Sequence, residues 1–138
     1  MRVVLDADVL IGALDGSDRH HAETRALFTA WRSREDTTLM SVVNLTEVLV
    51  APSAHPARLR VARRAIRALG VAAHRPGEAV AVHAARLRSE HPIGLADAYC
   101  LATAATTGSS VASFDGKVLR AARAEGIPVA EAPKPRRR

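Results

Sequence analysis

Short apolar runs alternate with helical patterns along this chain, and that alternation restricts its fold more than any other feature. The runs RVVL (2–5), TTLMS (37–41), VAA (71–73) and SSVASF (109–114) are short and largely apolar, which favours buried strands. The intervals between them carry apolar residues at helical spacing. Strands that alternate with helices form a parallel sheet covered on both faces. We therefore predict an α/β fold with a short parallel sheet of about four to five strands flanked by helices.

The helical intervals have recognisable ends. Pro52 ends the short helix VVNLTEVLV (42–50). Ser17 or Asp18 is the expected N-cap of the helix predicted over 18–34. The run PVA (128–130) is a candidate final edge strand. Besides one or two helical turns within 9–14, the other predicted helices cover 18–34, 56–69, 77–90, 94–107 and 115–126.

A length of 138 residues suits one domain with its own core, which we expect over residues 1–130, followed by a basic tail over 131–138. No apolar run approaches the roughly 20 residues that span a bilayer, and carboxylates interrupt the first apolar run where a signal peptide needs continuity. We therefore expect a cytoplasmic protein without membrane contact. The single cysteine, Cys100, excludes an internal disulfide, and its apolar neighbours predict a buried structural thiol.

Four acidic residues are predicted to meet at one edge of the sheet. Asp6 follows the first strand, and Asp115 follows the fourth. Glu47 lies in the helix after the second strand, and Asp97 lies in the first turn of the helix that opens at Gly94. Ligands of open parallel sheets bind beyond the carboxyl ends of the strands. Carboxylates gathered there need a neutralising cation, and oxygen ligands without clustered His or Cys favour Mg²⁺ or Mn²⁺, which support phosphodiester hydrolysis.

Each acid also has an ordinary interpretation as a helix cap, an ion-pair partner or an exposed helix residue, but four coincidences at one edge are a weaker explanation than one shared cause. The histidines have no matching partners, and His20 and His21 are predicted to face away from the strand ends. Ser41 and Ser113 lack the turn that a serine hydrolase needs. A receiver-type signalling domain also gathers acids around Mg²⁺, but the third strand region, VAAHRP (71–76), holds no phosphoacceptor aspartate.

The chain is basic, with a net charge of +6 and a sequence pI of about 10.9, which favours a polyanionic partner such as RNA or an acidic protein segment. No acidic residue occurs from Val48 to Gly77. A solvated helix face is the ordinary alternative to a phosphate-binding surface there. The RNA-binding candidates share one face of the predicted helix 56–69, and they are Arg60, Arg63, Arg64 and Arg67.

The segments VVLDADVLIGAL, SVVNLTEVL, GLADAYCLATA and VASFDGKV resemble, in order and spacing, the four acidic motifs of PIN-domain ribonucleases, and most closely those of VapC-type toxins of VapBC toxin–antitoxin systems. The resemblance extends from Met1 to about Val129. It implies a three-layer sandwich with a parallel sheet between helices. It also implies that Mg²⁺ or Mn²⁺ is held by four carboxylates, with Asp6 and Asp97 as central ligands and with Glu47 and Asp115 completing the site or holding waters.

Three further polar residues fall in these motifs. Ser113 is similar in position to the Ser or Thr that lies two residues before the last aspartate in the family, and Asn44 occupies a similar polar position before Glu47. Asp8 is a departure, because the family more often has Ser, Thr or Asn there. An outer-shell contact to the metal or a cap on the following helix is the favoured role for Asp8.

The function that the resemblance implies is that of a metal-dependent endoribonuclease, the toxin of a type II toxin–antitoxin pair. Its implied partners are an RNA substrate, a cognate VapB-type antitoxin that places a C-terminal stretch across the active site, and a second copy in a homodimer. A PIN-like nuclease that processes RNA without being a toxin is the main alternative, and a PIN-like binding module without catalysis is another.

Overall fold

The computed structural model describes residues 1–131, and its centre is a four-stranded parallel sheet. The strands are β1 (Arg2–Leu5), β2 (Thr37–Ser41), β3 (Ala72–His74) and β4 (Ser110–Ala112). Their order across the sheet is β3-β2-β1-β4, with Val4 of β1 opposite Leu39 of β2 and Val111 of β4. The predicted α/β class and parallel sheet are therefore confirmed.

Seven helices surround the sheet in the described part of the chain, and they are α1 (Ala7–Leu14), α2 (His21–Ser33), α3 (Val42–Val50), α4 (Pro56–Leu69), α5 (Glu78–Glu90), α6 (Leu95–Thr107) and α7 (Gly116–Ala124). A single 3-10 turn, Pro52–Ala54, precedes α4 and was not predicted. The predicted edge strand at 128–130 is wrong as a strand, because Val129 forms only an isolated bridge to Val111. Of the predicted tail, all but Glu131 lies outside the described residues.

The core has two layers because both faces of β1 are buried. Val3 and Leu5 face a cluster that includes Trp31 of α2, with α1, α3 and α4 contributing further apolar side chains. Val4 faces the opposite cluster, which α5, α6 and α7 supply and which includes Leu101. This burial of alternate residues on both sides explains why β1 is a continuous apolar run and confirms the three-layer arrangement.

The direction in which strands are added reverses between β1 and β4. From β1 the chain adds β2 and then β3 on one side, and β4 returns to the other side of β1. A backbone hydrogen bond joins the ends of these two strands, in which Asp6 N, directly after β1, donates to the carbonyl oxygen of Ala112, the last residue of β4, at 2.9 Å. Open parallel sheets bind ligands at such a reversal, so the fold itself singles out the ends of β1 and β4.

No helix among residues 1–131 is long and apolar enough to cross a membrane.

Candidate active site

Asp6 occupies the carboxyl end of the central strand β1 and is 5% exposed. One carboxylate oxygen, Oδ1, accepts a hydrogen bond from Ala7 N at 2.8 Å and caps α1, while Oδ2 accepts one from Ser113 Oγ at 2.7 Å. Burial, together with repulsion from Asp8 and, more weakly, Asp97, raises the pKa of Asp6 to about 7. The structure thus holds a costly buried carboxylate at the predicted position.

The loop between β4 and α7 connects two of the predicted acids. Ser113 Oγ, which donates to Asp6, also accepts from Asp115 N at 3.0 Å. Asp115 in turn caps α7, since its Oδ1 accepts from Lys117 N at 2.9 Å. The hydroxyl of Ser113 therefore holds the end of β1 and the start of α7 in one arrangement.

Asp8 lies in the first turn of α1 and reaches the same loop. Its Oδ2 accepts a hydrogen bond from Phe114 N at 3.0 Å, and its Oδ1 is buried without a partner among the described residues. Burial raises the pKa of Asp8, and Asp115 adds to that shift while hydrogen bonds oppose it. The helix cap considered for Asp8 is wrong, because Asp6 caps α1.

Glu47 and Asp97 face each other from α3 and α6. Asp97 Oδ2 accepts from Gly94 N at 3.0 Å in the first turn of α6. Glu47 is largely exposed, but the partial burial of its carboxylate raises its pKa, and repulsion from Asp97 adds to that shift. Asn44, which is fully buried, joins the two helices because its Nδ2 donates to Ala96 O at 3.1 Å, and its Oδ1 has no partner in the described structure.

The pKa of the buried Cys100 thiol is affected by several of these acids. Burial raises the pKa of this thiol well above its usual range, and four carboxylates add to the shift: Asp6, Asp97, Asp8 and Glu47. The thiol on α6 is therefore affected by acids at the end of β1 and on α1, α3 and α6. The predicted structural role of Cys100 agrees with its complete burial.

The acids at this edge are close enough to repel one another but do not form a tight triad. Within residues 1–131, the only three potential metal-ligand side chains with ligand atoms all within 4.8 Å of one another are Glu90, His91 and Glu125. That group lies at the ends of α5 and α7, and its two glutamates already form ion pairs with the guanidinium group of Arg86, at 2.7 Å for Glu90 and 3.1 Å for Glu125. It is best described as an ion-paired cluster at the ends of α5 and α7.

The structure also brings to this edge a residue that the sequence interpretation missed. His20 precedes α2, and its ring stacks on that of Phe114 with centroids 4.0 Å apart and planes 9° apart. The prediction that His20 faces away from the strand ends is wrong. The predicted cap is wrong too, because α2 begins at His21 and Asp18 instead accepts a hydrogen bond from His20 N at 2.8 Å. No local spacing reveals a contact between residues so far apart in sequence.

Helix α4 contributes to two further surfaces. The predicted arginine face is exposed on α4, and none of its four guanidinium groups forms an ion pair within the described residues: Arg60, Arg63, Arg64 and Arg67. Beside it, an apolar groove of about 580 Å³ runs between α1, α3 and α4. Glu47 and Arg58 line this groove together with apolar side chains that include Ile11, Val48 and Val61.

Comparison with known proteins agrees with this geometry. A family model described as the PIN domain matches residues 3–124, which contain all four predicted acids. A sequence comparison with curated proteins gives no significant match.

Solved structures with a similar fold include VapC20 of Mycobacterium tuberculosis, described as a sarcin-ricin loop cleaving toxin, with a TM-score of 0.70 and 16% identity over 86% of this chain and 94% of that one. VapBC2 of Rickettsia felis, bound to a promoter DNA fragment, gives a TM-score of 0.74 and 12% identity over 94% of this chain and 98% of that one. DNA-bound VapBC of Salmonella typhimurium gives a TM-score of 0.69 and 19% identity over 94% and 97% of the two chains.

Proposed function

Because the chain belongs to the PIN domain family, we propose that it is a metal-dependent endoribonuclease and the toxin component of a type II toxin–antitoxin pair. The observation that carries this proposal is the linked group at the strand-order reversal, in which Ser113 hydrogen-bonds to buried Asp6 and Asp115 caps the adjoining helix. The nuclease domain is proposed to cover residues 1–130, with 131–138 as a basic tail.

The residues at this edge fit a divalent cation such as Mg²⁺ or Mn²⁺. Their donor atoms are all oxygens, and Asp8 Oδ1 is a buried oxygen that lacks a partner among the described residues. Mg²⁺ usually keeps several waters and takes one or two carboxylates directly, so it does not require the tight triad that these acids lack. Asp6 and Asp97 are the proposed direct ligands, with Glu47 and Asp115 completing the site or holding waters.

A divalent cation bound there would supply positive charge for a phosphate and acidify water. The chain's own residues would accept the proton and hold the acids in position. Glu47, whose pKa is raised by partial burial and by Asp97, is the proposed acceptor of a proton from an attacking water. Ser113 orients Asp6, and Asn44 fixes α3 against the start of α6, so that Glu47 and Asp97 keep their relative position.

The basic surface supports RNA as the substrate. The exposed arginines of α4 lie on the helix that also lines the groove beside Glu47. Guanidinium groups bind phosphates without reading sequence, so this face would hold the RNA backbone and leave the choice of cleavage position to other contacts.

An antitoxin is the proposed protein partner, since VapBC complexes share this fold. The apolar groove supports a segment with apolar side chains. Occupation of the groove would cover Glu47. A homodimer is also proposed, and light scattering of the purified protein tests it directly.

The decisive experiment expresses the wild type, Asp6→Asn and Asp97→Asn and sequences the cleaved RNA ends. We expect Mg²⁺- or Mn²⁺-dependent cleavage by the wild type only. Glu78→Gln, which removes an exposed acid from α5, is the matched control and should cleave normally. Cleavage that survives both aspartate changes would refute the site, and cleavage without growth arrest would identify a processing nuclease.

A further inference from the structure

The turn between α1 and α2 brings an exposed arginine to the rim of the carboxylates. Resting on the proposed nuclease function, we infer that Arg19 binds a phosphate of the RNA substrate and that His20 is a positioning residue, held through its stack on Phe114. None of these three residues was among the sites predicted from the sequence.

The stack ties the turn to the site. Phe114 lies between Ser113 and Asp115, and its backbone N–H donates to Asp8 at 3.0 Å. The backbone of Phe114 is therefore fixed by its hydrogen bond to Asp8, and its ring projects from this fixed position. With planes only 9° apart, His20 lies face to face on that ring, so its position is fixed relative to the acids.

His20 in turn orients Arg19. Arg19 Nε donates to His20 Nε2 at 3.2 Å, and the other ring nitrogen, Nδ1, lies 3.5 Å from Glu23 Oε2. The imidazole thus accepts from the arginine on one side and faces a carboxylate on the other. This arrangement holds the guanidinium through Nε, the nitrogen nearest its stem.

The two terminal nitrogens of Arg19 are left available. Arg19 is exposed, and within residues 1–131 its guanidinium makes no other hydrogen bond and no ion pair. The terminal amino groups of an arginine form a planar fork that matches two oxygens of one phosphate. An arginine already oriented through Nε loses less side-chain entropy when it binds such a group.

The surrounding charge explains why a cation is useful here. A phosphate that approaches Asp8 and Asp115 meets negative charge, and His20 is close enough to Asp8 to influence it electrostatically. Arg19 places positive charge on the same side. A phosphate is favoured over a base as its ligand, because one face of Phe114 is already covered by His20.

The test compares Arg19→Ala, Arg19→Lys and His20→Phe in steady-state RNA cleavage. Loss of a charge-assisted hydrogen bond predicts a KM about tenfold higher for Arg19→Ala, with kcat changed less than about twofold. Lysine should restore part of the loss. His20→Phe keeps the stack but removes the acceptor for Arg19, so its KM should lie between the wild-type and Arg19→Ala values.

Arg25→Ala, an exposed arginine one turn into α2, is the matched control and should leave KM unchanged. A parallel arm measures the binding of a short single-stranded RNA in EDTA, where the log–log salt slope should fall by about 0.7 for Arg19→Ala. An unchanged KM for Arg19→Ala, or equal shifts for Arg19→Ala and Arg25→Ala, would overturn the inference while leaving the nuclease in place. A wild type that binds RNA through Arg19 but does not cleave would overturn the proposed nuclease alone, and one that neither binds nor cleaves would overturn both.

Discussion

Ser113 and Asp6 are joined by a hydrogen bond of 2.7 Å across the position where the strand order reverses. The bond connects residues 107 positions apart, and it directs a hydroxyl at a carboxylate that burial keeps difficult to ionise. It thereby links the conformation of the β4–α7 loop to the ionisation of Asp6, and the predictions below begin from that carboxylate.

The stability of the metal-free protein should fall as the pH rises from about 4 to about 7. Unfolded Asp6 releases its proton near its ordinary pKa of 3.8, whereas folded Asp6 keeps it until about 7, so in this window the folded state binds more protons. Urea unfolding in EDTA at several pH values measures the slope. Asp6→Asn should flatten it, and equal slopes for the two proteins would contradict the raised pKa of Asp6.

Added Mn²⁺ or Mg²⁺ should raise the melting temperature of the wild type at neutral pH. A cation that binds only the folded state stabilises it by about 2.7 kcal/mol at a hundredfold excess over its Kd. Asp6→Asn should be more stable than the wild type without metal and should gain less on its addition. Thermal melts with and without EDTA test both parts, and Glu78→Gln serves as the control with a wild-type response.

Asp8→Ala should lower the free energy of unfolding more than Asp8→Asn does. Alanine leaves the N–H of Phe114 without its acceptor at a cost of about 1–3 kcal/mol, whereas asparagine can still accept that hydrogen bond. Denaturant unfolding separates the two variants. Cleavage assays then ask whether the second oxygen of Asp8 matters, because Asp8→Asn alters that oxygen while it keeps the loop in place.

Gly12→Ala should destabilise the packing of α1 against α2. A Cβ at Gly12 would lie 2.9 Å from Thr24 Cγ2, and Thr24 is fully buried, so overpacking should cost about 1–3 kcal/mol. Gly16→Ala, where nothing lies within 4 Å, is the matched control. Similar unfolding midpoints for the two variants would show that the helices separate easily.

Charge reversal on α4 should weaken RNA binding without preference for sequence. Arg63→Glu with Arg67→Glu removes two exposed cations, and the log–log salt slope should fall by about 0.7 for each phosphate that the variant no longer binds. Fluorescence anisotropy with RNAs of different sequence measures this. The same reversal of Arg32 and Arg123, exposed arginines on α2 and α7, is the control. An equal loss of RNA affinity in that control would show that net charge, and not the α4 face, determines binding.

The sequence predicted the layered fold well because its strongest signals are periodic and local. The bounds of α3 and α4 agree with the predicted ranges, since Pro52 cannot continue a helix and Gly70 adopts the left-handed conformation that ends one. The run PVA was misjudged because pairing depends on the partner strand. Pro128 and Ala130 both hydrogen-bond to Val111, so PVA pairs with a single residue of β4 and forms a bridge rather than a strand. Strand length at a sheet edge is set by such tertiary contacts.

The positions of the candidate acids were easiest to predict where residues follow strand ends. Asp6 and Asp115 could be placed because a parallel sheet brings those ends together. The position of His20 could not be predicted, because the α1–α2 turn determines where α2 begins, and its stack on Phe114 involves no repeating pattern. The burial of Asp6 and the exposed position of Glu47 likewise depend on how deeply each helix packs.

The central position of β1 has a consequence for the growing chain. Asp6 is synthesised 107 positions before Ser113, and β4 must still be made and pair beside β1 after Asp6 has left the ribosome. A ribosome-bound chain that stops short of β4 has its first carboxylate without the loop that orients it. The proposed cleaving activity would therefore arise only after β4 and its loop have been made, and not gradually as the chain grows.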